Sequence, residues 1–290
     1  MARKISSKSG RFKMKFAILL VLLVSCQIEA AKILGVFPYP SKSHSILGQA
    51  LCTELASRGH DVTYLSPYPF KKPPTKNYRD VAITAPELFA VFEEEMDASF
   101  ENLNLNIVML FKYWFDNVAK MQEATMSDPA VQKLLKSNEK FDICIIEFLF
   151  NESLLGFGAQ FDCKIIAMST IGQVKYINDM LHSPMPLSVT PHPLLSYTDH
   201  MNFGQRMENI ISTFIEDAGY NFYHYPLQAA IYDKYFKKDK PSFHYMLKHS
   251  VSLVLLNTHY SLNYPQAYLP NMVGFLHLIH NEIKQKKKIN

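Results

Sequence analysis

The chain has 290 residues, 48% of them hydrophobic and 19% charged, with a formal net charge of +4. That composition describes a globular chain able to bury a sizeable core, and excludes a disordered one. The positive charge is local: Arg3, Lys4, Lys8, Arg11, Lys13 and Lys15 all precede the first acidic residue, Glu29, so the remainder is near neutral and offers no basic stripe for nucleic acid.

Residues 1–30 read as a signal peptide. A basic head is followed by the apolar run Phe16–Val24 (FAILLVLLV) and a small-residue exit reaching Ala31. The run is short for a bilayer, and no later run has the length of a membrane span, so no transmembrane helix is expected beyond this segment. Lys32–Phe37 (KILGVF) ends at Pro38 and reads as a buried strand. From Ser45, the residues Ile46, Leu47, Ala50, Leu51 and Leu55 recur at helical spacing, and Gly59 provides the stop. Asp61–Ser66 (DVTYLS) is the next strand, which completes a βαβ unit and implies a parallel sheet.

Val81–Ile83 reads as a third strand. From Glu87 to Thr125 the period is helical, without Gly or Pro after Pro86, and aromatic residues are many: Phe89, Phe92, Phe100, Phe111, Tyr113, Trp114 and Phe115. Asp128-Pro129 opens a shorter helix to Ser137. Phe141–Ile146 (strand), Glu152–Phe161 (helix) and Lys164–Ser169 (strand) repeat the βαβ pattern. Residues 170–200 are proline-rich and read as loop; helices follow near Phe203–Asp217 and Tyr220–Lys237, and Ser252–Leu256 (SLVLL) is a late strand. The predicted fold class is α/β, an open sheet with helices on both faces.

Ligands of such sheets bind beyond the carboxyl ends of the strands. That rule singles out Phe37–His44 and Glu147–Asn151. The first strand is followed by no G-x-G-x-x-G loop but by Gly35-Val-Phe-Pro-Tyr-Pro, and no Walker A or G-x-S-x-G motif occurs. The eleven histidines form no H-E-x-x-H, so no metal site is expected. His44 falls at the start of the first helix. A neutral imidazole there suits a general base for a hydroxyl, since imidazole exchanges protons near neutrality and the helix N-terminus disfavours its cation. Such a base wants a carboxylate to orient it, and Glu147, at the end of a neighbouring strand, is the candidate. On position alone each has a plainer reading, His44 as a capping or solvent-facing histidine and Glu147 as a helix-start carboxylate. Cys52, Cys144 and Cys163, each in apolar surroundings, are expected to be buried free thiols. Asn151-Glu152-Ser153 is the glycosylation sequon, with Asn151 as acceptor.

Three blocks carry a family resemblance: Lys32–Ser66 (KILGVFPYPSKSHSILGQALCTELASRGHDVTYLS), Phe141–Thr170 (FDICIIEFLFNESLLGFGAQFDCKIIAMST) and Asn257–Met272 (NTHYSLNYPQAYLPNM). They resemble the membrane-bound UDP-glycosyltransferases of animals, especially of insects. The resemblance implies the N-terminal half of a two-domain GT-B glycosyltransferase, with a Rossmann-like acceptor-binding domain over 31–272, an atypical lysine-rich tail over 273–290, and the donor domain missing. It implies a histidine base at His44 and a partner acid at Glu147, where the family usually has aspartate; Glu152 is the weaker alternative. The implied reaction is inverting transfer of a hexose, glucose by analogy with insects, from a UDP-sugar to a small lipophilic acceptor in the lumen of the endoplasmic reticulum, as in detoxification. The UDP-sugar enters as donor substrate and no cofactor is held tightly. Phe89–Phe115 and loop 170–200 are candidate acceptor walls. The alternative is a truncated, non-catalytic chain that binds acceptors or regulates full-length UDP-glycosyltransferases.

Overall fold

The computed structural model describes residues 30–101, 106–183, 185–237, 239–259 and 267–275, the side chains of 94–101 excepted. The signal peptide expected at the N-terminus, the Phe100 side chain and residues 276–290 of the expected tail lie outside the described residues.

Seven strands form one wholly parallel sheet: β1 (Lys32–Val36), β2 (Asp61–Ser66), β3 (Tyr78–Ala82), β4 (Ile143–Glu147), β5 (Lys164–Ser169), β6 (Val251–Leu256) and β7 (Met272–Gly274). Their spatial order is β3-β2-β1-β4-β5-β6-β7. The central strands β1, β2, β4 and β5 are short apolar runs buried over nearly their whole length, as a sheet covered on both faces requires. The order reverses direction between β1 and β4. Right-handed crossovers then place the connections of the two halves on opposite faces and leave a crevice at that switch point.

The connecting helices are α1 (Lys42–Ser57), α2 (Pro86–Glu101), α3 (Ile107–Ser127), α4 (Pro129–Leu135), α5 (Gly156–Phe161), α6 (Lys175–Met180), α7 (Phe203–Gly219), α8 (Tyr225–Tyr235) and α9 (Phe243–His249). The single helix expected from Glu87 to Thr125 is thus two, with Asn106 capping α3 by accepting the Met109 amide. The two later helices are joined without a break by a π-turn over Tyr220–His224. Tyr225 N–H donates to Tyr220 O across this turn, directly before Pro226, which has no N–H to donate. The short α6 inside loop 170–200, α9 and β7 were not legible in the sequence. Val273 and Gly274, the first residues of the expected tail, belong to β7, and Phe275 N–H donates to Leu256 O at 2.9 Å.

Two further expectations are overturned. Cys144 and Cys163 form a disulfide with Cα atoms 5.8 Å apart, and Cys52 alone is a free, buried thiol among the described residues. Cys163 immediately precedes β5, which pairs with β4 so that Cys144 faces Ile165; only this neighbour relation brings the two sulfurs together. Asn151 is 4% exposed, its Oδ1 accepts the Leu149 amide at 2.9 Å, and Glu152 and Ser153 are fully buried. The sequon is interior structure, and the fold leaves no surface there for a glycan.

Candidate active site

Two glycines leave no room for a side chain where helix α1 meets the sheet. A Cβ on Gly48 would meet the Phe37 ring and the Tyr64 hydroxyl at 2.6 Å, and one on Gly35 would meet Cys52 Sγ at 2.8 Å. Tyr64 of β2 donates to Ser45 O at 3.1 Å and ties down the first turn of α1. His44 occupies the third position of that turn, after the N-cap residue Ser41. The close packing therefore fixes how far the imidazole stands from the strand ends.

Glu147 is the last residue of β4, adjacent to β1 at the switch point. Its Oε1 lies 2.5 Å from His44 Nδ1; the carboxylate is fully buried and the imidazole is 14% exposed. Thr170, directly after β5, completes a triangle, with Oγ1 2.9 Å from His44 Nδ1 and 3.4 Å from Glu147 Oε1. The proton on Nδ1 is shared between two oxygens, and Nε2 is left to exchange protons with a ligand. The glutamate's extra methylene relative to aspartate does not prevent contact. Tyr39, from the loop after β1, stacks on the His44 ring at 4.6 Å, with Phe92 edge-on behind it at 5.5 Å. An aromatic face over an imidazole favours the cation it becomes on taking a proton. Asn257, after β6, holds Thr170 by donating Nδ2–H to its carbonyl at 2.8 Å. Tyr39 lies in the singled-out segment Phe37–His44 but was given no role there, and Thr170 and Asn257 were missed, although each directly follows a strand and so meets the rule that singled out His44 and Glu147.

Glu152, the weaker candidate, is committed elsewhere. It accepts from buried His224 Nε2 at 2.9 Å and from the Tyr220 hydroxyl at 3.0 Å. Burial, reinforced by Glu152, pushes the Tyr220 phenol well up, so it remains a donor. The pair stiffens the turn after β4, where Phe150 holds a left-handed backbone with φ 53°. That strained residue packs on Phe115, Tyr176 and His224, and its carbonyl accepts from Gln122 Nε2 at 3.1 Å.

A cavity of about 330 Å³ reaches this end of the sheet; His44 is not in its lining, but Tyr39, which stacks on the His44 ring, is. Tyr39, Phe150 and Ile171 carry it to the ends of β1, β4 and β5, and Phe111, Trp114 and Leu194 supply apolar wall. Loop 170–200 contributes much of this lining. Among the described residues of the aromatic stretch 89–115, the aromatic side chains that line the cavity are Phe111 and Trp114; Phe92 backs Tyr39, while Phe89 packs on Tyr68. An enclosed, mainly apolar lining with a few polar groups is the usual form of a small-molecule site. Among the described residues no cluster of three or more His, Cys, Asp or Glu is arranged to hold a metal, and no helix is long and apolar enough to cross a membrane.

Residues 31–288 match the family model described as UDP-glucoronosyl and UDP-glucosyl transferase. UDP-glycosyltransferase UGT5 of Dactylopius coccus is 28% identical over 243 residues, covering 83% of this chain and 46% of that protein. UDP-glucosyltransferase 2 of the same insect is 26% identical over 275 residues, covering 91% of this chain and 52% of that protein. The chain thus spans about half the length of the curated relatives it matches. Among solved structures, that of CalG4, the calicheamicin glycosyltransferase, superposes with a TM-score of 0.40 at 11% identity, covering 79% of this chain and 46% of that one. With a match over nearly its whole length, the chain belongs to the UDP-glucoronosyl and UDP-glucosyl transferase family.

Proposed function

We propose that this chain is the acceptor-binding, base-carrying part of a GT-B UDP-glycosyltransferase that moves a hexose, glucose first among the candidates, onto the hydroxyl of a small lipophilic acceptor. The observation that carries the reading is the His44–Glu147 contact of 2.5 Å at the switch point, with Tyr39 between the imidazole and a largely apolar cavity. The acceptor hydroxyl lies against His44 Nε2, which takes its proton as the oxygen attacks the anomeric carbon. The new carbon–oxygen bond forms as the bond to the diphosphate breaks, UDP leaves with the electron pair, and the anomeric configuration inverts. Glu147 holds the ring and stabilises the imidazolium; Thr170 fixes the Nδ1 proton, and Tyr39 covers the ring face.

Residues 31–272 form the acceptor domain in this reading, extended by β7 to Phe275. Support for glucose comes from the family description and from the name of the second insect relative. The Cys144–Cys163 disulfide supports the secretory lumen as the site of action, because such bonds persist in oxidising compartments. The chain joined to a UDP-sugar-binding domain of the family, with radiolabelled UDP-glucose and a phenolic acceptor, tests the reading: turnover is expected, and His44→Ala abolishes it. Undiminished turnover by His44→Ala would sink the assignment of the base. Acceptor binding with no turnover would favour a binding or regulatory role beside full-length family members.

A further inference from the structure

One carboxylate on the cavity wall lacks a full set of partners. Glu216, on α7, lines the cavity together with His192 of the proline-rich loop. The buried His192 ring has a defined tautomer. Its Nδ1 accepts the Leu194 amide at 3.2 Å, so the proton is on Nε2, which donates to Glu216 Oε2 at 2.9 Å. The partner of the carboxylate is therefore a neutral imidazole, and it satisfies one oxygen. Glu216 Oε1 takes no hydrogen bond among the described residues. Lys175, on the same wall, is engaged by Asp179 at 2.5 Å and Asp217 at 2.8 Å.

The loop is built to hold His192 in place. Its amide donates to Asn209 Oδ1 at 2.6 Å, and Asn209 Nδ2 donates in turn to the carbonyls of Leu187 and Thr190. The Phe111 ring meets the imidazole edge-on at 5.9 Å. A carboxylate in this mostly apolar lining, 15% exposed and with one oxygen open, gains from a donor brought by a molecule in the cavity.

We propose that Glu216 is a specificity determinant: the cavity takes lipophilic acceptors that carry, besides the hydroxyl to be glycosylated, a second hydrogen-bond donor, a hydroxyl or an ammonium group. Acceptors carrying a carboxylate at that place are turned away. This rests on the cavity being the acceptor site, and the test separates the two ideas.

Trp114 is the only tryptophan of the chain and lines the same cavity, so its fluorescence reports occupancy of the full chain without any sugar donor. The probes are phenols of one shape: 4-ethylphenol, 4-(2-hydroxyethyl)phenol, 4-(2-aminoethyl)phenol and 4-hydroxyphenylacetate. The aminoethyl and hydroxyethyl compounds are expected to bind about tenfold more tightly than the carboxylate. Glu216→Gln is expected to lower the aminoethyl affinity about tenfold and to leave 4-ethylphenol within about twofold. Equal binding of all probes by the wild-type chain, or an ammonium preference that survives Glu216→Gln, overturns the proposal and leaves the cavity reading standing. If no probe quenches Trp114, the acceptor cavity itself is refuted and this inference with it. Unchanged 4-ethylphenol binding shows the variant to be folded; should it be lost, the wild-type ranking of ammonium over carboxylate decides alone.

Discussion

Glycine inside a helix is usually a weakness, and replacing it with alanine stabilises by about 1 kcal/mol. Gly48→Ala should do the reverse. The new Cβ would lie 2.6 Å from two carbons of the Phe37 ring and from the Tyr64 hydroxyl, and both side chains are fully buried with nowhere to retreat. Overpacking of this kind costs about 1–3 kcal/mol. With all three contacts far inside van der Waals distance the upper end applies, which leaves a net loss of about 2 kcal/mol after the helical gain. For a domain of this size that is a fall in Tm of about 4–8 °C. Relief by lifting α1 off the sheet would draw His44 away from Glu147. Thermal and urea unfolding measure the first effect, and the His44 ring resonances in an NMR spectrum measure the second. Gly204→Ala is the internal control. Its Cβ, in the first turn of α7, would meet only Asn202 Oδ1 at an ordinary 3.5 Å, so the same substitution should be stabilising by up to about 1 kcal/mol. If Gly48→Ala is as stable as the parent and the His44 resonances do not move, the argument that the two glycines set the position of the base is refuted.

Glu147→Gln keeps the shape of the side chain and removes its charge, so kcat/KM for glucosyl transfer should fall about a hundredfold, the weight of one charge-assisted hydrogen bond to the developing imidazolium. Acceptor Kd by Trp114 fluorescence should stay the same, and a parallel loss in Kd would contradict an orienting role. Thr170→Val should cost about tenfold in kcat/KM and Thr170→Ser should restore most of it; failure of serine to rescue would mean that the hydroxyl is not what matters. Replacing Cys144 and Cys163 together by alanine should lower unfolding stability by about 3 kcal/mol, as expected for a short loop closed by the bond, measured in urea. Burial pushes the Cys52 thiol far up, so Cys52 should resist alkylation in the native chain and react only on unfolding; labelling of the folded domain at Cys52 would refute its burial.

What the sequence by itself determined is what neighbouring residues encode among themselves. Apolar runs such as Lys32–Val36 and Lys164–Ser169, and the helical spacing from Ile46 to Leu55, are local patterns, and they place His44 at a helix start just after a strand. The parallel sheet followed from the alternation of those patterns. Even there the local signal misled where a break or its absence depended on packing, as at the start of α3 at Asn106 and at the π-turn before Pro226. Only the tertiary structure decided which carboxylate serves His44. Glu147 and Glu152 are five residues apart in the chain, yet β4 lies against β1 and delivers the first to His44, while the turn after β4 buries the second against His224. The same adjacency of β4 and β5 turned two expected free thiols into a disulfide, and the same turn hid Asn151. Each of these depends on contacts between residues far apart in sequence, 103 positions in the case of His44 and Glu147, which only strand order brings within reach.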